Sequence, residues 1–260
     1  MTHWSLDRYC SAILDQTDRL RTLLEGADVT ARVPTCPAWN LGQLVRHVSG
    51  AHRWVETVVR SRATEEVPHD LVDDVFHYDD RDPAVLGGRL ADGARELVEA
   101  FTEAGEEVRV WTAMPGRPVS FWARHALFET VVHRADAAWT VGARYALDPA
   151  VARHGLDVWM DFGLLPEVYG GGDGAGPLLG EGRSLCFTPG EQPGPGWFVD
   201  LGPDGPRWEH ADRPAAVTVR GPLADLLLLM YGRPVHDRLG IRGDRPLLDL
   251  WLRRTGFWLN

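Results

Sequence analysis

Apolar residues recur at helical spacing through the first half of the chain, and the interruptions in that pattern mark out four helices. Leu6, Tyr9, Ile13, Leu20 and Leu24 line one face of a segment from Ser5 to Glu25, and Gly26 supplies a stop. Two prolines in VPTCPAW, residues 33–39, then force an extended approach to a second helix. Asn40 is placed to cap that helix, Gln43 three residues later completes a capping box, and Trp39 with Leu44 forms a hydrophobic staple. The helix runs to about Ser61, with Leu44, Val48, Ala51 and Val55 facing inward. A third helix, Pro83 to Ala104, carries its proline in the first turn and a weaker inward stripe of Val85, Leu90, Leu97, Val98 and Phe101. The fourth spans Phe121 to Trp139. Residues 62–82 form an acidic connection in which His69 and His77 read as solvated.

The pattern changes in the second half. A helix from Asp148 to about Phe162 gives way to a stretch, 163–206, dense in glycine and proline. SLCFT, GWFVDL and AAVTVRG have the β-branched and aromatic content of strands, and GPLADLLLLMYGR and RPLLDLWLRRTGF read as compact helices. The predicted class is α+β. Residues 1–145 form a four-helix bundle and 146–260 a small α/β domain. The GGGDGAG run follows no convincing strand and carries little phosphate-binding signal.

Composition narrows the function classes. With 260 residues, 44% of them hydrophobic and 25% charged, the chain is globular in type. A net charge of −10 argues against a nucleic-acid partner, which needs a basic footprint. All 27 basic residues are arginine; there is no lysine. Cys10, Cys36 and Cys186 are few and far apart, suggesting neither a disulfide framework nor a cysteine zinc site. Cys36, just ahead of a helix start, could have a lowered thiol pKa or serve as a small buried residue. No run approaches a membrane span and no signal-peptide core is present, so a cytoplasmic protein, monomer or homodimer, is expected.

The fourth helix holds the candidate chemistry. His125, Glu129, His133 and Asp136 share one narrow stripe, bordered by Phe121 and Val132 on one side and Trp122 and Ala126 on the other. Arg124, Thr130 and Arg134 are expected to point away, towards solvent or a rim. Carboxylates and imidazoles between aromatic walls are costly unless paired or bound to a cation. Glu129 and His133, four residues apart, can present two ligands to one ion. A Glu–His pair hydrogen-bonded inside a bundle would produce the same pattern, and His125 could simply pair with Glu129. On the second helix His47 and His52 sit at opposite edges of the inward face, and spacing does not choose between them.

Three stretches together resemble the mycothiol-dependent maleylpyruvate isomerases, a family with a DinB-like four-helix N-terminal domain. VPTCPAWNLGQLVRHVSGAHRW, residues 33–54, is similar to its CPGW and HRW segment. HALFETVVHRADA, residues 125–137, is similar to its His, Glu, His-Arg, Asp-Ala segment. AVTVRGPLADLLLLMYGRP, residues 216–234, resembles its sterol-carrier-protein-like C-terminal domain. Ala135 departs from the aromatic residue that many members carry there. The resemblance implies a divalent metal, usually zinc, held by one histidine of the second helix and the Glu-x3-His pair of the fourth: His47, Glu129 and His133. It also implies mycothiol as thiol cofactor, added to and later expelled from a conjugated substrate. Arg220 or Arg233 could clamp a substrate carboxylate, and His125 and Asp136 could orient the ligands.

Two neutral imidazoles and a carboxylate leave a zinc site with net positive charge and an open coordination position, the pattern of a catalytic centre. The leading expectation is therefore a zinc-dependent isomerase or S-transferase acting on a small molecule with mycothiol. A metallohydrolase is an alternative, although no H-E-x-x-H helix supplies its general base. A non-catalytic module with a structural metal is another.

Overall fold

The computed structural model describes residues 4–68, 81–114, 116–170, 176–190 and 193–257. His69 and His77 lie outside these. Two compact units divide the chain after Tyr145.

In the first unit the described residues form four helices: α1 (Leu6–Thr22), α2 (Leu41–Arg60), α3 (Pro83–Ala104) and α4 (Ser120–Thr140). Helices α1 and α2 each pack against both α3 and α4. The start of α2 is fixed as its sequence requires. The Asn40 side chain accepts from Gln43 N at 2.9 Å while the Gln43 side chain accepts from Asn40 N at 2.9 Å. The preceding loop folds back on itself through Val33 N to Trp39 O at 3.1 Å and Trp39 N to Cys36 O at 2.8 Å. Leu44 and Val48 are fully buried in one cluster with Leu20 and Leu90, and Val55, Leu97 and Phe101 are fully buried as well.

Two expectations are corrected. Val85 is 40% exposed and the adjacent Leu86 takes the core position of α3. Helix α4 has no solvated face at Thr130 and Arg134; both are buried. Arg134 Nε donates to the buried Gln16 Oε1 at 2.9 Å, and its guanidinium stacks 4.3 Å from the Tyr145 ring. A partner on α1 and another beyond the end of α4 compensate the buried charge.

The second unit opens with α5 (Pro149–Phe162), capped by Asp148, and a single turn α6 (Pro166–Tyr169). Strands β1 (Ser184–Pro189), β2 (Trp197–Asp200), β3 (Arg207–His210) and β4 (Val217–Gly221) follow. Then come α7 (Leu223–Met230), a 3-10 turn at His236–Arg238, β5 (Gly240–Gly243) and α8 (Arg245–Thr255). The sheet order is β3-β2-β1-β4-β5, with β1 and β4 parallel and the other pairs antiparallel. Trp251 of α8 stacks on Phe187 of β1, ring centroids 5.3 Å apart. The α+β class therefore holds. Among the described residues no helix is long and apolar enough to cross a membrane.

Replacing Arg134 by alanine strands the Gln16 amide oxygen in the core and removes packing on Tyr145. The expected loss is about 2–4 kcal/mol, read from chemical denaturation. A loss below about 0.5 kcal/mol would show that the buried guanidinium contributes nothing net to folding.

Candidate metal and thiol site

Helix α4 sets Glu129 and His133 one turn apart, and α2 brings His47 to meet them. Glu129 Oε2 lies 3.6 Å from His47 Nε2 and 3.4 Å from His133 Nε2. The three donor atoms all fall within 4.8 Å of one another. Zinc bonds of about 2.0–2.2 Å place two ligands of a tetrahedral site about 3.3–3.6 Å apart. The carboxylate–imidazole separations thus match the edges of a coordination polyhedron, and exceed the ~2.7–3.2 Å of an N–H···O hydrogen bond. The donor set fits a divalent cation.

Each ring is held from behind. His133 Nδ1 lies 2.9 Å from Asp136 Oδ2, and Thr35 Oγ1 donates to Asp136 Oδ1 at 2.7 Å. Asp136 is wholly buried. A carboxylate on Nδ1 leaves Nε2 to face Glu129 and His47, the arrangement that orients metal-binding histidines. Trp39 packs against His47 with centroids 4.8 Å apart, and the His47 and His133 rings meet edge to face at 5.0 Å. The side chains of His47 and Glu129 are 18% and 25% exposed, so the cluster opens to solvent on the side of these two.

Burial alone would raise the Glu129 carboxyl. The imidazoles of His133 and His47 and the charge on His125 outweigh it and hold the group well below the usual carboxylate range. Burial would likewise depress His133, but Asp136 and Glu129 reverse this and push it up to about 9. A half-buried carboxylate kept ionised between two imidazoles is a strong cation attractor.

The structure separates the two α2 histidines. His47 joins Glu129 and His133; His52 is fully buried, with Nε2 2.8 Å from Thr130 Oγ1. Because the Thr130 hydroxyl donates to Ala126 O at 2.8 Å, His52 Nε2–H is the donor between them, which leaves Nδ1 unprotonated and without a partner. His125 stays on the stripe, half-buried, with its ring edge-on to Trp122 at 5.6 Å. Arg220 and Arg233 belong to the second unit. Arg220 is exposed and donates to Gly190 O at 2.9 Å, and Arg233 donates to Tyr231 O at 2.9 Å.

Sequence reasoning missed Thr35 as a support of Asp136, and gave Trp39 only a packing role. Both sit in the loop ahead of α2, about two turns of helix before His47. Their only signal was proximity in sequence to a candidate ligand.

Residues 10–138 match the family model described as the mycothiol maleylpyruvate isomerase N-terminal domain. The first unit is therefore a mycothiol maleylpyruvate isomerase N-terminal domain. The matched span contains His47, Glu129, His133 and Asp136, and stops short of Arg220 and Arg233. Two solved structures share the fold beyond it. Crystal structures of the mycothiol-dependent maleylpyruvate isomerase and of a histidine-to-alanine mutant align with TM-scores of 0.60 and 0.61. Each is 18% identical and covers 92% of this chain and 93% of its own. A comparison with curated protein sequences returns no match.

Desolvation lowers His52 of this domain from 6.5 to about 4. The unfolded chain therefore takes up a proton near pH 6.5 that the folded chain refuses until about pH 4. Stability from this residue is complete above pH 6.5 and declines as pH falls to 4, by roughly 3 kcal/mol. His133, raised rather than lowered, acts in the separate window between 6.5 and about 9. Denaturation of His52→Gln should show a flatter pH dependence than the parent between pH 6.5 and 4; parallel curves would show that His52 does not carry the effect.

Proposed function

We propose that this protein is a zinc-dependent, mycothiol-using enzyme of maleylpyruvate isomerase type, with S-transfer on the same site as the variant chemistry. The observation carrying this reading is the trio of donor atoms spaced at coordination distances, with Nδ1 of His133 tied to a buried carboxylate. His47 and His133 would bind through Nε2 and Glu129 through Oε2. A divalent ion bound there supplies a Lewis acid that lowers the pKa of an entering thiol, giving a thiolate at neutral pH.

The remaining work falls to the chain. Asp136, braced by Thr35, keeps the His133 proton on Nδ1 and the Nε2 lone pair towards the cation. Trp39 fixes the His47 ring and shields one side of the cluster from water. His125, half-buried on the same stripe, adds to the electrostatic influence that keeps Glu129 ionised. Mycothiol bound there would supply a thiolate for reversible addition to a conjugated cis double bond, and its loss after rotation about the resulting single bond would leave the trans isomer. A cytoplasmic setting suits three cysteines of which none is in a disulfide.

Metal analysis of His47→Ala, Glu129→Ala and His133→Ala should show each variant losing bound zinc. Asp136→Asn should lower zinc affinity about 10- to 100-fold while leaving the ligands in place. Purified parent protein should turn over maleylpyruvate only when mycothiol is supplied. Full zinc content in all three alanine variants would refute the site, and turnover without thiol would refute the chemistry. Conjugation of other electrophiles without isomerisation would identify the S-transferase.

A further inference from the structure

A second group of donor atoms adjoins the first and shares one residue with it. The Cys36 thiol, a ring nitrogen of His133 and a carboxylate oxygen of Asp136 all lie within 4.8 Å of one another. Cys36 is half-buried in the loop before α2; His133 and Asp136 are buried on α4. Asp136 faces this group through a carboxylate already anchored by Thr35 at 2.7 Å. The two donor sets differ in kind. His47, Glu129 and His133 offer two nitrogens and an oxygen, whereas this set includes a sulfur, which selects soft cations over hard ones.

We propose that Cys36, Asp136 and His133 through Nδ1 form a thiophilic cation site, filled by soft divalent ions such as cadmium, and that filling it empties the site at His47, Glu129 and His133. Cation binding to the metal-free protein is balanced by loss of the Cys36 thiol proton and the His133 Nδ1 proton to solvent, with new bonds from sulfur, Nδ1 and the Asp136 oxygen and the remaining ring proton on Nε2. The exclusivity follows from the imidazole. A neutral ring carries one N–H and one lone pair. In the arrangement described above, Nδ1–H donates to Asp136 and Nε2 offers its lone pair towards Glu129 and His47. A cation on Nδ1 moves the ring proton to Nε2, where it points at the first site's centre and replaces a ligand by a donor. Soft metals would thus inhibit without touching substrate. This competition rests on the metal site under the proposed function; binding by Cys36 and Asp136 does not.

Full-length protein titrated with cadmium, followed through the ultraviolet sulfur-to-cadmium charge-transfer band, tests the idea. The band should appear in the parent and in His47→Ala and be absent from Cys36→Ser, a near-isosteric change. Asp136→Asn should weaken the titration about tenfold or more. In zinc-loaded parent protein, growth of the band should release the bound zinc. A parent without the band, or a Cys36→Ser variant that keeps it, would overturn the site. A band that grows while zinc is fully retained would overturn the exclusivity. Protein that binds no zinc yet shows the Cys36-dependent band would support this site while sinking the one at His47, Glu129 and His133.

Discussion

The first unit is organised around one electrostatic problem, a carboxylate and two imidazoles placed where α4 is packed nearly all round. Glu129 is pulled in opposite directions by desolvation and by the neighbouring rings, and the rings prevail. That outcome depends on long-range placement. His47 reaches Glu129 only because α2 packs on α4, and α2 begins where the Asn40–Gln43 capping box sets it. Helix packing is therefore what gathers three separate polar residues into one cluster of donor atoms.

The surrounding shell shows why the arrangement can persist without collapsing. His133 is braced by Asp136, Asp136 by Thr35, and His47 by Trp39. Each brace satisfies a polar group or fills space that water would otherwise occupy, so the Glu129 carboxylate stays 3.4–3.6 Å from the two imidazoles. On the opposite side of α4, Arg134 and Gln16 satisfy one another in the core. A helix this heavily buried tolerates ionisable residues only because nearly every one of them has a partner.

Much of this was legible from residue spacing. Period and capping signals placed all four helices, and the polar stripe of α4 stood out because polar residues alternated with aromatic ones. What failed did so for identifiable reasons. A helical wheel assumes one wet face, and α4 lacks it at Thr130 and Arg134, whose partners lie on α1, on α2 and past the end of α4. The choice between His47 and His52 was invisible to spacing on α2, because Thr130, a residue far along the chain, claims His52. The resemblance to a family pointed to His47 where periodicity could not. In the second unit β3 and β5 escaped notice: each has four residues, neither alternates cleanly, and β5 begins and ends in glycine.

The loop from Val33 to Trp39 has a consequence out of proportion to its seven residues. It carries both Thr35, which steadies Asp136 behind one histidine, and Trp39, which backs the other. Its internal backbone hydrogen bonds and two prolines keep these props at fixed separation. Any disturbance that shifts the loop disorients both rings at once, giving the cluster a common point of failure outside its own donor residues.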